Sequence, residues 1–188
     1  MYTIKGDQKY LDEAKKNLDY IVGHIVQDDG RIYDGYDEKL KKFTRKPWSY
    51  NYGSFLGCVA EFYKITGDIT YMETGEKAIK VAMSKFNKIG IFSENIDLNS
   101  DQQAFKGIFF KYMSKFLVEY WKVADDKAKD WIREMKDYTI SMANIVVRTK
   151  MDPDTGLFSA YWSPDEDMVF TSTAQISAMD LFVAAHRL

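Results

Sequence analysis

A tight-turn sequence occurs twice in this chain, 61 residues apart, and it constrains the fold more than any other feature. The first copy, YTIKGDQKYL, begins at Tyr2, and the second copy, YKITGDITYM, begins at Tyr63. In each copy the glycine suits a left-handed helix C-cap, and the aspartate that follows suits the N-cap of the next helix. These turns predict pairs of helices in units of about 60 residues, longer than the common short helical repeats.

Apolar residues at helical spacing predict six helices along the chain. Their ranges are 8–25, 52–66, 69–86, 102–121, 127–148 and 173–187. Three tight links, the last containing Asp125 and Asp126 as a decayed copy of the turn, alternate with three long links at 26–51, 87–101 and 149–172. In an up-and-down array all long links fall at one end, and loops gathered at one end are a common way to build a site.

The predicted helices also alternate in character. The first and the fifth carry charged residues along one face, which is typical of outer helices with one apolar stripe. The second has only Glu61 and Lys64 well inside it, and the sixth has only Asp180, so both are expected to be buried on more than one side. Outer amphipathic helices that alternate with inner buried helices predict an all-α fold, either a double-layered α/α toroid or a piece of one. A superhelical α-solenoid is the competing architecture.

Composition limits the function classes. The 188 residues are 46% hydrophobic, which is enough for one core, so a single domain over 1–188 is expected. The net charge of −2 offers no electrostatic case for nucleic acid or an anionic membrane, and no apolar run reaches transmembrane length.

The single cysteine, Cys58, excludes an internal disulfide and is expected to be an inert core thiol, and two histidines leave little for a metal site. We expect no metal, no cofactor and no secretory leader after Met1, which leaves the localisation open.

Polar and aromatic residues cluster where each inner helix begins, just after a long link. The eight candidate ligand-binding residues are Trp48, Tyr50, Asn51, Asp101, Phe105, Lys106, Thr173 and Gln175. Aromatic faces pack against the C–H surfaces of a sugar ring, while amides and hydroxyls hydrogen-bond to its OH groups. Three such clusters around one bowl predict a carbohydrate-binding site.

Structural roles compete for several of these residues. Asp101, Ser172 and Ser49 suit helix N-caps, and capping alone would explain them. The aromatic residues would serve equally well as core. Lys106 lies early in its helix, where a positive charge is unfavourable for the helix dipole, so it requires either an acidic partner or a role in the site.

At these clusters the chain resembles glycoside hydrolase family 76, the endo-α-1,6-mannanases. Four ordered blocks carry the resemblance: WSYNYG from Trp48 with the tight turn that follows its helix, GIFSE from Gly90, Asp101 with the FKG after it, and TAQISA from Thr173. The resemblance implies a six-hairpin α/α toroid, of which these blocks correspond to the C-terminal half. Tyr52 departs from the pattern, because the family usually has Gln at this position, and a changed subsite contact is the expected result.

The resemblance implies retaining hydrolysis of α-mannan through a glycosyl-enzyme intermediate, by two consecutive aspartates in an aromatic-rich helix of the N-terminal half. The pairs Asp28-Asp29 and Asp125-Asp126 do not occupy that motif, so no catalytic residue is assigned. We therefore expect a C-terminal portion of a toroid, inactive alone, whose partner is an α-mannan-like oligosaccharide or polysaccharide. Half a toroid would expose apolar inner helices, so self-association or pairing with the missing half is also expected.

Two other functions stay open at this point. The same broad fold hosts unsaturated-uronyl hydrolases, which require an acidic pair and a cation for the uronate, and Lys106 is the candidate cation. A non-catalytic α-helical binding module would instead present its long links to a protein. Retention on α-mannan would separate the mannan-binding hypothesis from both alternatives.

Overall fold

The computed structural model describes residues 5–98 and 101–188, so the start of the first turn copy, at Tyr2, lies outside the described residues. Each of the six predicted helices corresponds to one helix of the described part. These helices are α1 Gln8–His24, α2 Ser49–Thr66, α3 Thr70–Phe86, α4 Phe105–Trp121, α5 Asp126–Lys150 and α6 Ser172–Arg187.

The long links contain short regular elements that the periodicity did not predict. A 3-10 turn, Asp101–Ala104, leads directly into α4, where the prediction had one continuous helix from residue 102. Two small antiparallel hairpins fold within the first two long links. They pair β1 Gly35–Asp37 with β2 Lys42–Thr44, and β3 Asn87–Lys88 with β4 Ile91–Phe92, with Gly35 opposite Thr44 and Asn87 opposite Phe92.

The tight turns have the predicted chemistry, with one difference. Gly6 and Gly67 adopt the left-handed backbone, with φ of 66° and 72°. Asp7 and Asp125 are the N-caps of α1 and α5, and their carboxylates accept hydrogen bonds from amides two and three residues further on, at 3.2 and 2.8 Å. In the second copy the N-cap of α3 lies one residue after Asp68, so that cap prediction was wrong. These local contacts end one helix and begin the next within a few residues.

The helices form an inner layer of α2, α4 and α6, with α4 in the centre. From outside, α3 packs on α2, and α5 packs on α4 and α6. Two glycines permit close approach of the inner helices. A Cβ on Gly53 would lie 2.7 Å from the Cα of Phe109, and a Cβ on Gly107 would lie 2.6 Å from the Cα of Ser177. The alternation of inner and outer helices that the charge pattern predicts is therefore present.

An aromatic cluster fills the space between the layers. Phe92 stacks on Phe109 with ring centroids 4.9 Å apart and meets Phe110 edge-on at 5.0 Å. Tyr52 is fully buried, and its hydroxyl accepts a hydrogen bond from the amide of Ile32 at 3.4 Å. The residue that departs from the family pattern thus serves the core and tethers the first long link.

The two edges of the inner layer, formed by α2 and α6, carry exposed residues. On the α2 edge, Cys58 is exposed and lines a groove beside α1, so the prediction of a core thiol was wrong. On the α6 edge, Ile176, Met179 and Val183 are 60%, 55% and 45% exposed and share the helix face opposite the buried one. No described helix is long and apolar enough to cross a membrane.

Candidate functional site

The end of the layer that carries the long links brings three predicted site residues into one aromatic cluster. Phe105, at the start of α4, meets Trp48 edge-on at 5.4 Å and Tyr50 at 4.3 Å between ring centroids. The ammonium of Lys46 lies 3.9 Å from the centroid of the Trp48 ring. Trp48 and Phe105 are buried, as the core interpretation requires, and Tyr50 is the most exposed ring of the three.

Asp34 connects this cluster to the first long link. Its Oδ1 accepts a hydrogen bond from the hydroxyl of Tyr50 at 2.8 Å and another from the side-chain amide of Asn51 at 2.9 Å. Burial, followed by the effect of Asp34, raises the pKa of Tyr50 to about 12, so the phenol keeps its proton and remains a donor. The main-chain amide of Asp34 donates to the carbonyl of Thr44 at 2.9 Å, which holds the carboxylate against the first hairpin.

A cavity of about 260 Å³ adjoins Asp34, between α1, α2 and the first long link. Asp34, Asn51 and Ser54 contribute polar side chains to a lining that is otherwise largely apolar. Within the described residues, the Oδ2 of Asp34 has no hydrogen-bond donor. A carboxylate with one oxygen held in place and the other unused is well arranged to accept hydrogen bonds from the hydroxyl groups of a ligand.

Lys106 is almost completely buried beneath the cluster, with 1% of its surface exposed. Its ammonium donates to the carbonyl of Ala160 at 2.9 Å and lies 5.1 Å from the centroid of the Trp162 ring. Burial lowers the pKa of Lys106 to about 8, against the opposing attraction of Glu94 and Glu166. The acidic partners expected for this lysine therefore act at a distance, while a main-chain oxygen takes the direct contact.

Glu94 caps α2 from a neighbouring segment. Its carboxylate is 5% exposed and accepts from the amide of Ser49 at 2.7 Å and from its hydroxyl at 2.5 Å. Burial raises the pKa of Glu94, although both contacts to Ser49 favour the ionised form. An anion at a helix N-terminus is favourable for the helix dipole. The N-cap prediction for Ser49 was wrong, since it is the first helical residue and Trp48 occupies the cap without a side-chain bond.

In the cluster at the start of α6, Gln175 is held by the main chain and Thr173 is half-buried. Gln175 is fastened to the main chain of the third long link, because its Oε1 accepts from the amide of Phe158 at 2.8 Å and its Nε2 donates to the carbonyls of Phe158 and Thr171 at 2.8 and 3.1 Å. Thr173 is half-buried in the first turn of α6. The cap of α6 is Thr171, so the N-cap prediction for Ser172 was wrong.

Asp101 is exposed and begins the 3-10 turn, so it is not the N-cap of α4. With Thr173 and Gln175, it remains a predicted ligand. Among the described residues, no group of three histidine, cysteine, aspartate or glutamate side chains is placed to hold a metal ion.

Asp34 and Glu94 are site residues that sequence reasoning missed. Asp34 precedes Gly35, and an Asp-Gly pair by itself indicates only a turn. Glu94 belongs to the GIFSE block that supports the family resemblance, but its side-chain partner is 45 residues away in sequence. That block was the one available signal for a role of Glu94.

Comparison with known proteins decides the family. The sequence model of Glycosyl hydrolase family 76 matches residues 1–186. The chain belongs to glycosyl hydrolase family 76. It is also similar to the mannan endo-1,6-alpha-mannosidase DFG5 of Saccharomyces cerevisiae, with 32% identity over an alignment of 119 residues. The alignment covers 57% of this chain and 26% of the yeast protein. The predicted family is confirmed.

Solved structures of other proteins share the fold. The GH76A alpha-1,6-mannanase from Salegentibacter sp. HEL1_6 superposes with a TM-score of 0.85 at 20% identity, over 98% of this chain and 54% of that one. The Lin0763 protein from Listeria innocua superposes with a TM-score of 0.83 at 23% identity, over 98% of this chain and 51% of that one. This family-76 chain therefore spans about half the length of these neighbours, and the predicted fold, about half of an α/α toroid, is confirmed.

Proposed function

We propose that this chain is the carbohydrate-binding portion of a glycoside hydrolase that acts on α-1,6-linked mannan. Family membership supports the chemistry, and an inactive variant of the Salegentibacter mannanase, with a TM-score of 0.84 to this chain, was crystallised in complex with alpha-1,6-mannotetrose. The observation that carries the proposal is the group formed by Tyr50, Asn51 and Asp34, beside the buried rings of Trp48 and Phe105.

Each member of this group has a distinct role in the proposal. The ring of Tyr50 offers a face to the C–H surface of a mannose unit, and its orientation is set by the hydroxyl contact to Asp34. The unused Oδ2 of Asp34 accepts from sugar hydroxyls, since a carboxylate receives such bonds more strongly than a neutral acceptor. Asn51 holds Asp34 in place through its side-chain amide and lines the same cavity.

Hydrolysis itself requires groups that this chain does not supply in our proposal. The complete enzyme would cleave with retention, through a glycosyl-enzyme intermediate formed on one of two consecutive aspartates of the other half. Asp125 is occupied as a helix cap at the end away from the long links, and Asp29 pairs with Arg31 through a contact of 2.7 Å. We therefore expect the isolated chain to bind mannan without cleaving it.

The exposed stripe of Ile176, Met179 and Val183 supports pairing along the α6 edge. In the proposal this stripe is covered by the segment that completes the toroid, and a second copy of the chain replaces it when that segment is absent. Light scattering at increasing concentration should show reversible self-association that Met179→Lys weakens, with Lys129→Ala on α5 as the control. A strictly monomeric chain would contradict this part of the proposal.

Affinity electrophoresis in gels that contain linear α-1,6-mannan tests the binding. We expect the chain to be retarded, with Tyr50→Ala and Asp34→Asn each weakening the affinity about tenfold, which corresponds to about 1.4 kcal/mol. Tyr20→Ala, a change at an exposed tyrosine of α1, is the matched control and should leave the retardation unchanged. An α-1,6-glucan gel should not retard any variant.

Equal mobility of the wild-type chain in mannan and plain gels would overturn the proposal. Mannan cleavage by the chain that is lost in Asp28→Asn or Asp125→Asn would overturn the expected inactivity. The uronate alternative loses support because Lys106, its candidate ligand, is buried against Ala160. A binding module for proteins remains the outcome if retardation fails.

A further inference from the structure

Two oppositely charged side chains are buried behind the aromatic cluster of Trp48, Tyr50 and Phe105. Glu94 is 5% exposed and Lys106 is 1% exposed. Burying a charge is costly unless hydrogen bonds and opposite charge compensate for the lost water. Glu94 lies in the second long link and Lys106 in the first turn of α4, so this cost falls at the candidate site.

Each ring of the aromatic cluster is next in sequence either to one of the buried charges or to a residue that one of them holds. Trp48 and Tyr50 flank Ser49, whose amide and hydroxyl both donate to Glu94 at 2.7 and 2.5 Å. Phe105 precedes Lys106, whose ammonium is fixed on the carbonyl of Ala160 at 2.9 Å. The three rings therefore depend on two buried anchors for their position, and those anchors lie on different segments.

We propose that Glu94 is a positioning residue, which holds Trp48 and Tyr50 in their ligand-binding geometry through Ser49, with Lys106 as the opposing charge that anchors Phe105. This inference rests on the proposed carbohydrate-binding function. Glu94 does not contact the sugar. It fixes the first turn of α2, and with it the tyrosine that Asp34 orients.

The electrostatic surroundings of the pair give the proposal a specific signature. Glu94 faces Lys46 from the segment before α2 and Lys106 from α4, and both lysines favour its ionised form. Lys106 faces Glu94 and Glu166, and both favour its protonated form. Removing the charge of Glu94 takes away an attraction that supports the protonated ammonium, so the pKa of Lys106 should fall further below its ordinary value.

The test compares Glu94→Gln with Glu61→Gln. The first keeps the size of the buried side chain and one carbonyl acceptor, while the second removes an exposed carboxylate from α2, the helix that Glu94 caps. We expect Glu94→Gln to weaken retardation by α-1,6-mannan about tenfold, and Glu61→Gln to leave it unchanged. In Glu94→Gln, the rise of thermal stability that accompanies loss of the Lys106 proton should also begin at lower pH than in the wild-type chain.

Each result decides between the two proposals. A wild-type chain that mannan does not retard overturns both. A retarded wild-type chain with unchanged mannan affinity in Glu94→Gln overturns the positioning role alone, and so does weakened affinity with an unshifted stability profile. If Glu94→Gln does not fold, Ser49→Ala decides instead. It keeps the main-chain donor to Glu94 and should weaken mannan binding about threefold, and unchanged binding overturns the inference.

Discussion

The two ends of the inner helical layer are built from different kinds of contact. At the tight-turn end, charged pairs such as Lys64 with Glu61 and Lys122 with Glu119 join residues three apart on one helix, and their lysines are 44% and 57% exposed. At the long-link end, Ser49 contacts a carboxylate 45 residues away, and Lys106 contacts a carbonyl 54 residues away. The first end is stabilised locally and weakly, whereas the second exists only when the whole layer has assembled.

This contrast explains why the candidate site lies where it does. Exposed pairs within one helix tolerate substitution, because each contributes little to stability. Buried charges and main-chain contacts between segments hold long links in one conformation, and a rigid surface loses less entropy when it binds a ligand. Substitutions at the helix contacts on which the long-link end depends should therefore have larger effects than substitutions at the tight-turn end.

The largest effect is expected at the contact between the central and last inner helices. In Gly107→Ala the new Cβ would lie 2.6 Å from the Cα of Ser177, and main-chain atoms cannot yield easily. We expect the free energy of unfolding to fall by about 3 kcal/mol in urea titrations. Gly23→Ala, at a helical glycine with no atom within 4 Å, should instead raise stability by about 0.5 kcal/mol. Similar effects for both variants would contradict the close approach of these helices.

The next largest effect is a pH dependence of the free energy of unfolding, caused by Lys106 at the long-link end. Because the pKa of Lys106 is lowered to about 8 in the folded chain, against 10.5 for an unperturbed lysine, the unfolded chain retains a proton that the folded chain has lost between these values. Stability contributed by this group should therefore rise with pH, by about 2 kcal/mol from about pH 8 to about pH 9.5.

Chemical unfolding of Lys106→Met across this pH window measures that contribution. The variant should lack most of the rise, whereas Lys64→Met, at an exposed lysine of α2, should keep it. An identical pH profile in Lys106→Met and the wild-type chain would show that Lys106 is not the group responsible.

The smallest effect is expected at the tight-turn end. Asp125→Ala removes the carboxylate that accepts from the amide of Ala128 at 2.8 Å, and should lower the free energy of unfolding by about 1 kcal/mol. Asp125→Asn retains the acceptor and serves as the control, with a loss of less than about 0.5 kcal/mol. If the alanine variant also abolished mannan binding, the two ends of the layer would not be independent.

For much of the candidate site, the sequence predicted which residues take part but not which partners they contact. Trp48, Tyr50 and Phe105 were expected near one another because each follows a long link, and the structure brings their rings together. Their partners could not be predicted, since Asp34 and Glu94 act on residues that are 16 or more positions away in sequence. A hydrogen bond across a long link depends on how that link folds, and no periodicity encodes that path.

Cys58 shows the same limit for burial. An apolar helix predicts a buried thiol at this position, but α2 lies at one edge of the inner layer and its outer side is exposed. Hydropathy describes how many faces of a helix are apolar. Whether a neighbouring helix covers a given face depends on the assembled layer.

The sequence by itself determined the six helices of residues 8–187, their alternation between inner and outer layers, the tight turns and the family, because these depend on local periodicity, capping chemistry and ordered motifs. Only the tertiary structure decided that Glu94 caps α2, that Lys106 is buried on Ala160 and that Asp34 orients Tyr50 and Asn51. The physical reason is the distance along the sequence over which each kind of contact acts. Helix formation is decided over a few residues, whereas the burial of a charge is compensated by partners that only folding brings within reach.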